Sequence, residues 1–155
     1  LHLCALLTYG CLLRPHREVR ELTWGDFNPE LTTISLAGSR NKGKRNRIIP
    51  VPQYIREHLT GGAPHYNIFS GLEQPYNPYY FSQLWQRFKK ENPGTIAPGQ
   101  TLYSLRHTGA IAVYEKTRNI KILQTVMGHS DMATSLTYLR GLEVNELDVA
   151  VLPDL

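Results

Sequence analysis

The residues with the clearest capacity for chemistry lie late in the chain. Arg106 and His107 are adjacent, Gly128-His129-Ser130 follows, and Tyr138 stands nine residues beyond the histidine. Together they supply a guanidinium, an imidazole and a phenol. A phenol is a poor nucleophile at its free pKa of about 10. It becomes effective where cations stabilise the anion it attacks and a base or hydrogen bond helps its proton leave. An anionic phosphodiester suits such a site.

Each of these residues also has a plainer reading. Arg106 follows Leu102 and Leu105 and precedes Ile111 in a helical pattern. An arginine on the inner face of a helix must find an anion. That anion is either an internal Asp or Glu, or a phosphate held by the guanidinium fork. His129 sits between two predicted helices, where a capping or core histidine is the alternative to a functional one. Tyr138 is one of nine tyrosines, most of which must be structural. The run ILQTVMGHSDMATSLTYLR also has the pattern of a helix-turn-helix with Gly128 at its turn.

Two further groups of cations stand upstream. Arg14 lies between Leu13 and Pro15, at the junction of two predicted helices. It reads either as an exposed or helix-capping arginine or as a fixed, inward-pointing guanidinium. From Ser39 to Arg47 come Arg40, Lys42, Lys44, Arg45 and Arg47 with no acid among them. Such a run is either a solvated turn or a contact for a polyanion; five mutually repelling charges favour the polyanion. Gly43 among them lets the loop lie close to a backbone.

The elements that position these residues are mostly helical. Residues 3–13 (LCALLTYGCLL) read as a buried helix stopped at Arg14-Pro15, and Pro15 opens a short helix over 16–22. Residues 31–37 alternate as a strand, 38–46 form a basic turn and 47–51 return, so 31–51 is a β-hairpin. Pro52 starts a helix ending at Gly61-Gly62, and 63–77 is loop with one candidate short strand at Ile68-Phe69. Phe81, Leu84, Trp85 and Phe88 have helical spacing within 78–91. After a loop at 92–99, helices are predicted over 101–116, 119–128, 131–140 and 143–150. The fold class is mainly α with a small β-hairpin (α+β), in a single domain over 1–155.

Bulk properties narrow the function classes. The 155 residues are 41% apolar and 19% charged, which fits one folded domain rather than a disordered chain. The formal charge is +4, a mild basic bias. After Gly141 the charge is acidic, with Glu143, Glu146, Asp148 and Asp154. Cys4 and Cys11 are too far apart on one helix to bridge and read as buried free thiols in a reducing compartment. No run is long and apolar enough for a membrane span. A Gly-rich phosphate loop with a Lys, clustered carboxylates and a Cys/His ligand set are all lacking. Leu1 falls inside an apolar helical pattern, which reads as the start of a piece of a longer protein.

Taken together, LLRPHREVRELTWGDF, a strand with a basic turn and a return strand, YSLRHT, MGHSD and TYLR resemble the catalytic domain of tyrosine recombinases. These are the phage-integrase and Xer-like site-specific recombinases. The resemblance runs from about Leu6 to Gly141, with four motifs in order and a His129–Tyr138 interval common in the family. It implies that Arg14 and Arg106 bind the phosphate, that His129 adds a hydrogen bond and is a candidate acceptor of the phenol proton, and that Tyr138 is the nucleophile. Lys42 matches the proton-donating lysine of the hairpin, with Lys44 a close competitor. The family usually carries His three residues before the second arginine. Tyr103 stands there instead of that usual general base, a phenol able to donate a hydrogen bond to phosphate.

The same resemblance implies DNA strand exchange through a 3′-phosphotyrosyl bond, with no cofactor and no metal. It implies double-stranded DNA as partner, at a recombination site or Holliday junction. It further implies an upstream DNA-binding domain, a homotetramer on DNA from a domain monomeric in isolation, and a cytoplasmic location. Arg40, Lys44, Arg45, Arg47 and His107 are expected to contact DNA. Residues 143–155 form a C-terminal tail, of which the apolar stretch 143–152 (EVNELDVAVL) packs either on a neighbour or on its own domain. Two other readings stand beside this one: a helix-turn-helix regulator without catalysis, and a degenerate recombinase kept as an accessory subunit. Type IB topoisomerases share the chemistry, but the compact length and the His129–Tyr138 interval lean toward recombinase.

Overall fold

A computed structural model describes residues 1–40, 46–129 and 131–139. Its elements in chain order are α1 (His2–Gly10), a π-helical turn (Pro15–Val19), β1 (Thr33–Leu36), β2 (Arg47–Pro50), α2 (Gln53–Arg56), α3 (Tyr80–Glu91), α4 (Leu102–Thr117), α5 (Ile120–Met127) and α6 (Met132–Thr137). Single 3₁₀ turns lie at Trp24–Asp26 and Gly38–Arg40. The predicted class, mainly helical with one hairpin, is the observed one. No helix among the described residues is long and apolar enough to cross a membrane.

The first helix ends three residues before the predicted Leu13. Leu12 adopts a left-handed φ of 51°, which a residue with a Cβ adopts only against steric cost. The amide of Leu13 reaches back to the carbonyl of Leu7, and the carbonyl of Leu12 is turned out of the helical ladder. Pro15 then opens a single π turn rather than the predicted α-helix over 16–22. Its bond runs from the Val19 amide to the Arg14 carbonyl, 3.0 Å. Isolated π turns of this kind are often found at functional sites. Here the turn brings Glu18 back over Arg14, whose own amide donates to Glu18 Oε2 at 2.8 Å.

The hairpin forms as predicted, with shorter strands. β1 and β2 are antiparallel in the register Ile34↔Ile49 and Leu36↔Arg47. Side chains alternate across a strand, so Ile34, Leu36, Arg47 and Ile49 are buried while Ile48 is exposed. The expected strand at Ile68-Phe69 is replaced by one isolated bridge between Thr23 and Asn67. Asn67 is buried and satisfies four backbone groups: it donates to the carbonyls of Arg20 and Leu22 and accepts from the amides of Phe69 and Ser70. A side chain thus does locally what a strand ladder would do.

Two helices are shorter than predicted for a common reason. Beyond Arg56 the chain continues through tighter bonds, His58 to Ile55 and Leu59 to Arg56. Beyond Thr137 it does the same, Tyr138 to Ser135 and Leu139 to Leu136. Such i to i+3 bonds satisfy the last carbonyls of a helix while ending its α geometry. Tyr138 is thereby carried on a turn at the end of α6 and not within a helix.

The helices have legible boundaries. Thr101 and Ser104 form a capping box at the start of α4. The Asn119 side chain accepts from the amides of Lys121 and Ile122 to cap α5, and the Asp131 side chain accepts from the Thr134 amide to cap α6. The larger core gathers α1, the π turn, the hairpin and α3 around Leu7, Leu22, Ile55 and Phe81, all essentially fully buried. A smaller one, Leu12, Ala110, Leu123 and Met127, lies beneath α4 and α5. Both cysteines are buried free thiols, as expected, and burial pushes each up to about 12.

Helix α4 crosses α1 closely because Gly109 has no side chain. A Cβ there would stand 2.2 Å from the Tyr9 carbonyl oxygen and 2.7 Å from Leu12 Cδ2. Gly109→Ala is therefore expected to destabilise the domain by about 1–3 kcal/mol, the usual cost of overpacking. A denaturant titration checks it; an unchanged midpoint would show that the two helices separate at little cost.

Candidate active site

The site is built around a carboxylate that sequence reading did not single out. Glu18 has a side chain only 1% exposed, and three arginines from three different parts of the chain converge on it. Arg14 Nη1 donates to Oε1 at 2.5 Å, Arg47 Nη1 donates to the same oxygen at 3.2 Å, and Arg106 Nη1 stands 3.7 Å from Oε2. A buried carboxylate needs charge-assisted partners. Three guanidiniums around one carboxylate overshoot neutrality and leave the cluster with a formal excess of positive charge.

Each arginine is held by its local structure. Arg14 leads into the π turn and is half-buried. Burial lowers its pKa, but the Glu18 carboxylate outweighs this and raises it, with Tyr103 adding to the rise. Arg106 lies on the inner face of α4 and is fully buried. Its Nη1 donates to the carbonyl of Leu12, and its Nη2 donates to the carbonyl of Met127 at 2.9 Å. The left-handed turn at Leu12 and the end of α5 therefore both terminate on one guanidinium. Its Nε has no hydrogen-bond partner among the described residues.

Arg47 was grouped by sequence with the basic tip, yet its side chain is 6% exposed and turned onto Glu18. Strand alternation puts it there, in phase with Ile49. Burial depresses its pKa, Glu18 opposes this, and Arg106 and Arg14 depress it further. Its Nε and Nη2, the side-on fork, have no hydrogen-bond partner among the described residues. Gly128 makes room for it: a Cβ at Gly128 would lie 2.4 Å from Arg47 Cδ, and the residue has a φ of 67° that favours glycine. Beside them lies a cavity of about 240 Å³ lined by Asn46, Arg47, Gln124, Thr125, Gly128 and His129.

His129 is 8% exposed. Its Nδ1 lies 2.9 Å from the hydroxyl of Ser135, a fully buried residue of α6. Burial, together with Arg106, Arg14 and Arg47, pushes the imidazole down to about 4 against a smaller opposing effect of Asp131. Because the folded-state pKa lies below the ordinary value of about 6.5, the unfolded chain binds this proton first as pH falls. His129 is thus expected to contribute stability at pH 7 that diminishes from about pH 6.5 down toward 4. Comparing unfolding midpoints of the parent and His129→Gln from pH 7 to 4.5 checks this; parallel curves would overturn it.

Tyr138 comes to the same place. Its ring lies 5.4 Å from those of both His107 and His129, nearly parallel to the first at 25°. Its hydroxyl is 3.3 Å from that of Tyr103. Burial and the Tyr103 phenol raise its pKa, and the Arg106 guanidinium works in the opposite direction. Arg14, Tyr103, Arg106, His107, His129 and Tyr138 are therefore gathered in one region, joined by Glu18, Arg47 and Ser135. Lys42, Lys44 and Arg45 lie outside the described residues, as do the side chain of Arg40 and the tail 143–155.

A signal for Glu18 was present in the sequence. Arg14 and Glu18 are four residues apart, the spacing of an ion pair on a helix. For Arg47 the signal was strand alternation, masked by its place at the end of a run of cations. Nothing local pointed to the two carbonyls that hold Arg106.

A mainly helical domain with one hairpin, arginines gathered at a buried carboxylate, and a histidine and tyrosine beside them describe a tyrosine recombinase or integrase catalytic domain. The model of the phage integrase family matches residues 1–143, and the chain belongs to that family. It is 26% identical over 164 residues to a tyrosine recombinase of Pseudothermotoga lettingae, covering 95% of this chain and 51% of that protein. To the tyrosine recombinase XerA of Pyrococcus furiosus it is 28% identical over 148 residues, covering 89% and 49%. The chain thus spans about half the length of these relatives. The fold is shared with the catalytic domain of bacteriophage HP1 integrase (TM-score 0.64, 20% identity, 88% of this chain and 72% of that one). It is shared also with the XerH site-specific recombinase bound to difH substrate (TM-score 0.63, 20% identity, 88% and 41%).

Proposed function

We propose that this chain is the catalytic part of a site-specific DNA recombinase or integrase that breaks and rejoins strands through a 3′-phosphotyrosyl intermediate. The observation that carries this reading is the excess of positive charge at Glu18 beside the Tyr138 hydroxyl. A cluster of three guanidiniums and one carboxylate is best neutralised by a further anion, and a phosphodiester brings one.

In this reading the Tyr138 oxygen attacks the phosphorus of the scissile phosphate and releases its proton to solvent. The bond to the 5′-oxygen breaks, and Lys42 protonates that oxygen so that it leaves as a hydroxyl and not as an alkoxide. Arg14 and Arg106 stabilise the charge that grows on the non-bridging oxygens, with a hydrogen bond from His129. Tyr103 donates a further hydrogen bond in place of the histidine usual in the family. A 5′-hydroxyl from a second strand then reverses the step and displaces Tyr138, which recovers its proton. The energy of the broken bond is kept in the phosphotyrosyl link throughout.

The partner is double-stranded DNA at a recombination site, with a Holliday junction between the two exchanges. XerH bound to difH substrate and the Tn1549 transposon integrase in complex with a circular intermediate DNA share this fold, and this supports the reading. It extends to an upstream DNA-binding domain, a homotetramer on DNA and action in the cytoplasm. The regulator reading of α5 and α6 leaves unexplained why His129 is buried against Ser135 and why Tyr138 meets Tyr103. The deciding experiment uses a nicked suicide substrate, which loses the 5′-hydroxyl needed for resealing. The full-length protein should give a protein–DNA band that survives denaturant. Specific binding without that band would overturn the enzyme reading in favour of a regulator or accessory subunit.

A further inference from the structure

Ser135 lies within α6, three residues before Tyr138, and is fully buried. Its hydroxyl meets one partner among the described residues, Nδ1 of His129 at 2.9 Å. Serine in a helix commonly turns its hydroxyl onto the carbonyl four residues back, but no such bond is present here. A hydroxyl carries one proton and can accept through its lone pairs, whereas a neutral imidazole has one donating and one accepting nitrogen. Two arrangements therefore satisfy the contact. If Nδ1 carried the proton and donated to Ser135, the hydroxyl proton would be buried with no acceptor, which is costly. If the hydroxyl donates to a bare Nδ1, both groups are satisfied.

The neutral state that this arrangement requires is favoured by what surrounds the ring. Arg106 from α4, Arg14 at the π turn and Arg47 from β2 all oppose an imidazolium, and among the described residues Asp131 at the start of α6 favours one. The Tyr138 ring lies beside the imidazole, with centroids 5.4 Å apart and planes tilted by 35°. With Nδ1 engaged, the proton of the neutral ring resides on Nε2, which has no hydrogen-bond partner among the described residues.

We propose that Ser135 is a positioning residue for His129: by donating to Nδ1 it fixes the imidazole with its proton on Nε2, as a donor to the phosphate and not an acceptor for the Tyr138 proton. The role toward phosphate rests on the phosphodiester chemistry proposed above; the role in fixing the tautomer does not. A hydrogen-bond partner on one ring nitrogen sets which of the two nitrogens works and holds the ring in place.

The test is nitrogen-15 NMR of the full-length protein labelled at histidine, with His129 identified by its loss in His129→Gln. In the parent protein Nδ1 should appear as an unprotonated nitrogen and Nε2 as a protonated one. In Ser135→Ala the bond that stabilises the neutral ring is gone, so the His129 pKa should rise by about one unit, tenfold in proton affinity. Cleavage at saturating DNA should fall roughly tenfold with affinity for DNA little changed, and Ser135→Thr, which keeps the hydroxyl, should restore both. A protonated Nδ1 in the parent protein, or a His129 pKa that stays or falls in Ser135→Ala, would overturn the proposal. The parent spectrum needs no variant to fold. An unprotonated Nδ1 in a protein that never cleaves DNA would uphold the tautomer assignment and overturn the enzymatic reading alone.

Discussion

Tyr138→Phe is expected to abolish the covalent protein–DNA adduct while leaving DNA affinity within a few-fold of the parent. The substitution removes one oxygen and keeps the ring that lies against His107 and His129. A phenyl ring fits the same half-buried space, so the fold should be little affected. What is lost is the atom that forms the new bond, and no other interaction at the phosphate replaces a missing nucleophile. The parent and variant should bind a labelled recombination site alike, and only the parent should give a denaturant-resistant band on a nicked substrate. Tyr103 makes the test more demanding, since its hydroxyl lies 3.3 Å from that of Tyr138. A covalent band that persists in Tyr138→Phe and vanishes only when Tyr103 is also replaced would move the nucleophile to Tyr103.

Glu18→Ala is expected to be the most damaging change for the fold and to remove most activity with it. The carboxylate is almost wholly buried and receives hydrogen bonds from Arg14 and Arg47, with Arg106 at 3.7 Å. Without it, three guanidiniums face one another with no anion between them. Removing one partner from a buried ion cluster typically costs about 3–5 kcal/mol, because the remaining charges stay buried and unpaired. Misplacing the arginines should also slow cleavage by about a hundredfold or more, the usual effect of losing one donor to a developing oxyanion. Denaturant unfolding and single-turnover cleavage read the two effects separately. If DNA supplies the missing anion, specific DNA should restore part of the stability of Glu18→Ala. A loss below about 1 kcal/mol would show that solvent reaches the cluster and that the carboxylate is not its organiser.

Much of the scaffold is legible in the local sequence. The helical spacing of Phe81, Trp85 and Phe88 and the alternation through Thr33–Leu36 are local patterns, and each marks an element that is present. The misjudged ends are places where a distant contact overrides a local preference. Residues 11–13 have the composition of a continuing helix, but Leu12 leaves it and its carbonyl takes up Arg106. Ile68 and Phe69 have strand character, but buried Asn67 satisfies the backbone around them.

For the site, the residue types were legible and their partners were not. Arginine, histidine and tyrosine at these spacings pointed to phosphate chemistry because few other reactions need that combination. The sequence by itself determined which side chains were available, the order in which they arrive and the elements that carry them, since these follow from neighbours within a few residues. Only the tertiary structure decided that Glu18 gathers the arginines, that Arg47 turns inward and that Ser135 meets His129. Arg47 and Glu18 are 29 residues apart, and Arg106 and Leu12 are 94. Over such separations no periodicity links the two ends, and the pairing is set by the need of each buried charge or carbonyl for a partner when the helices close.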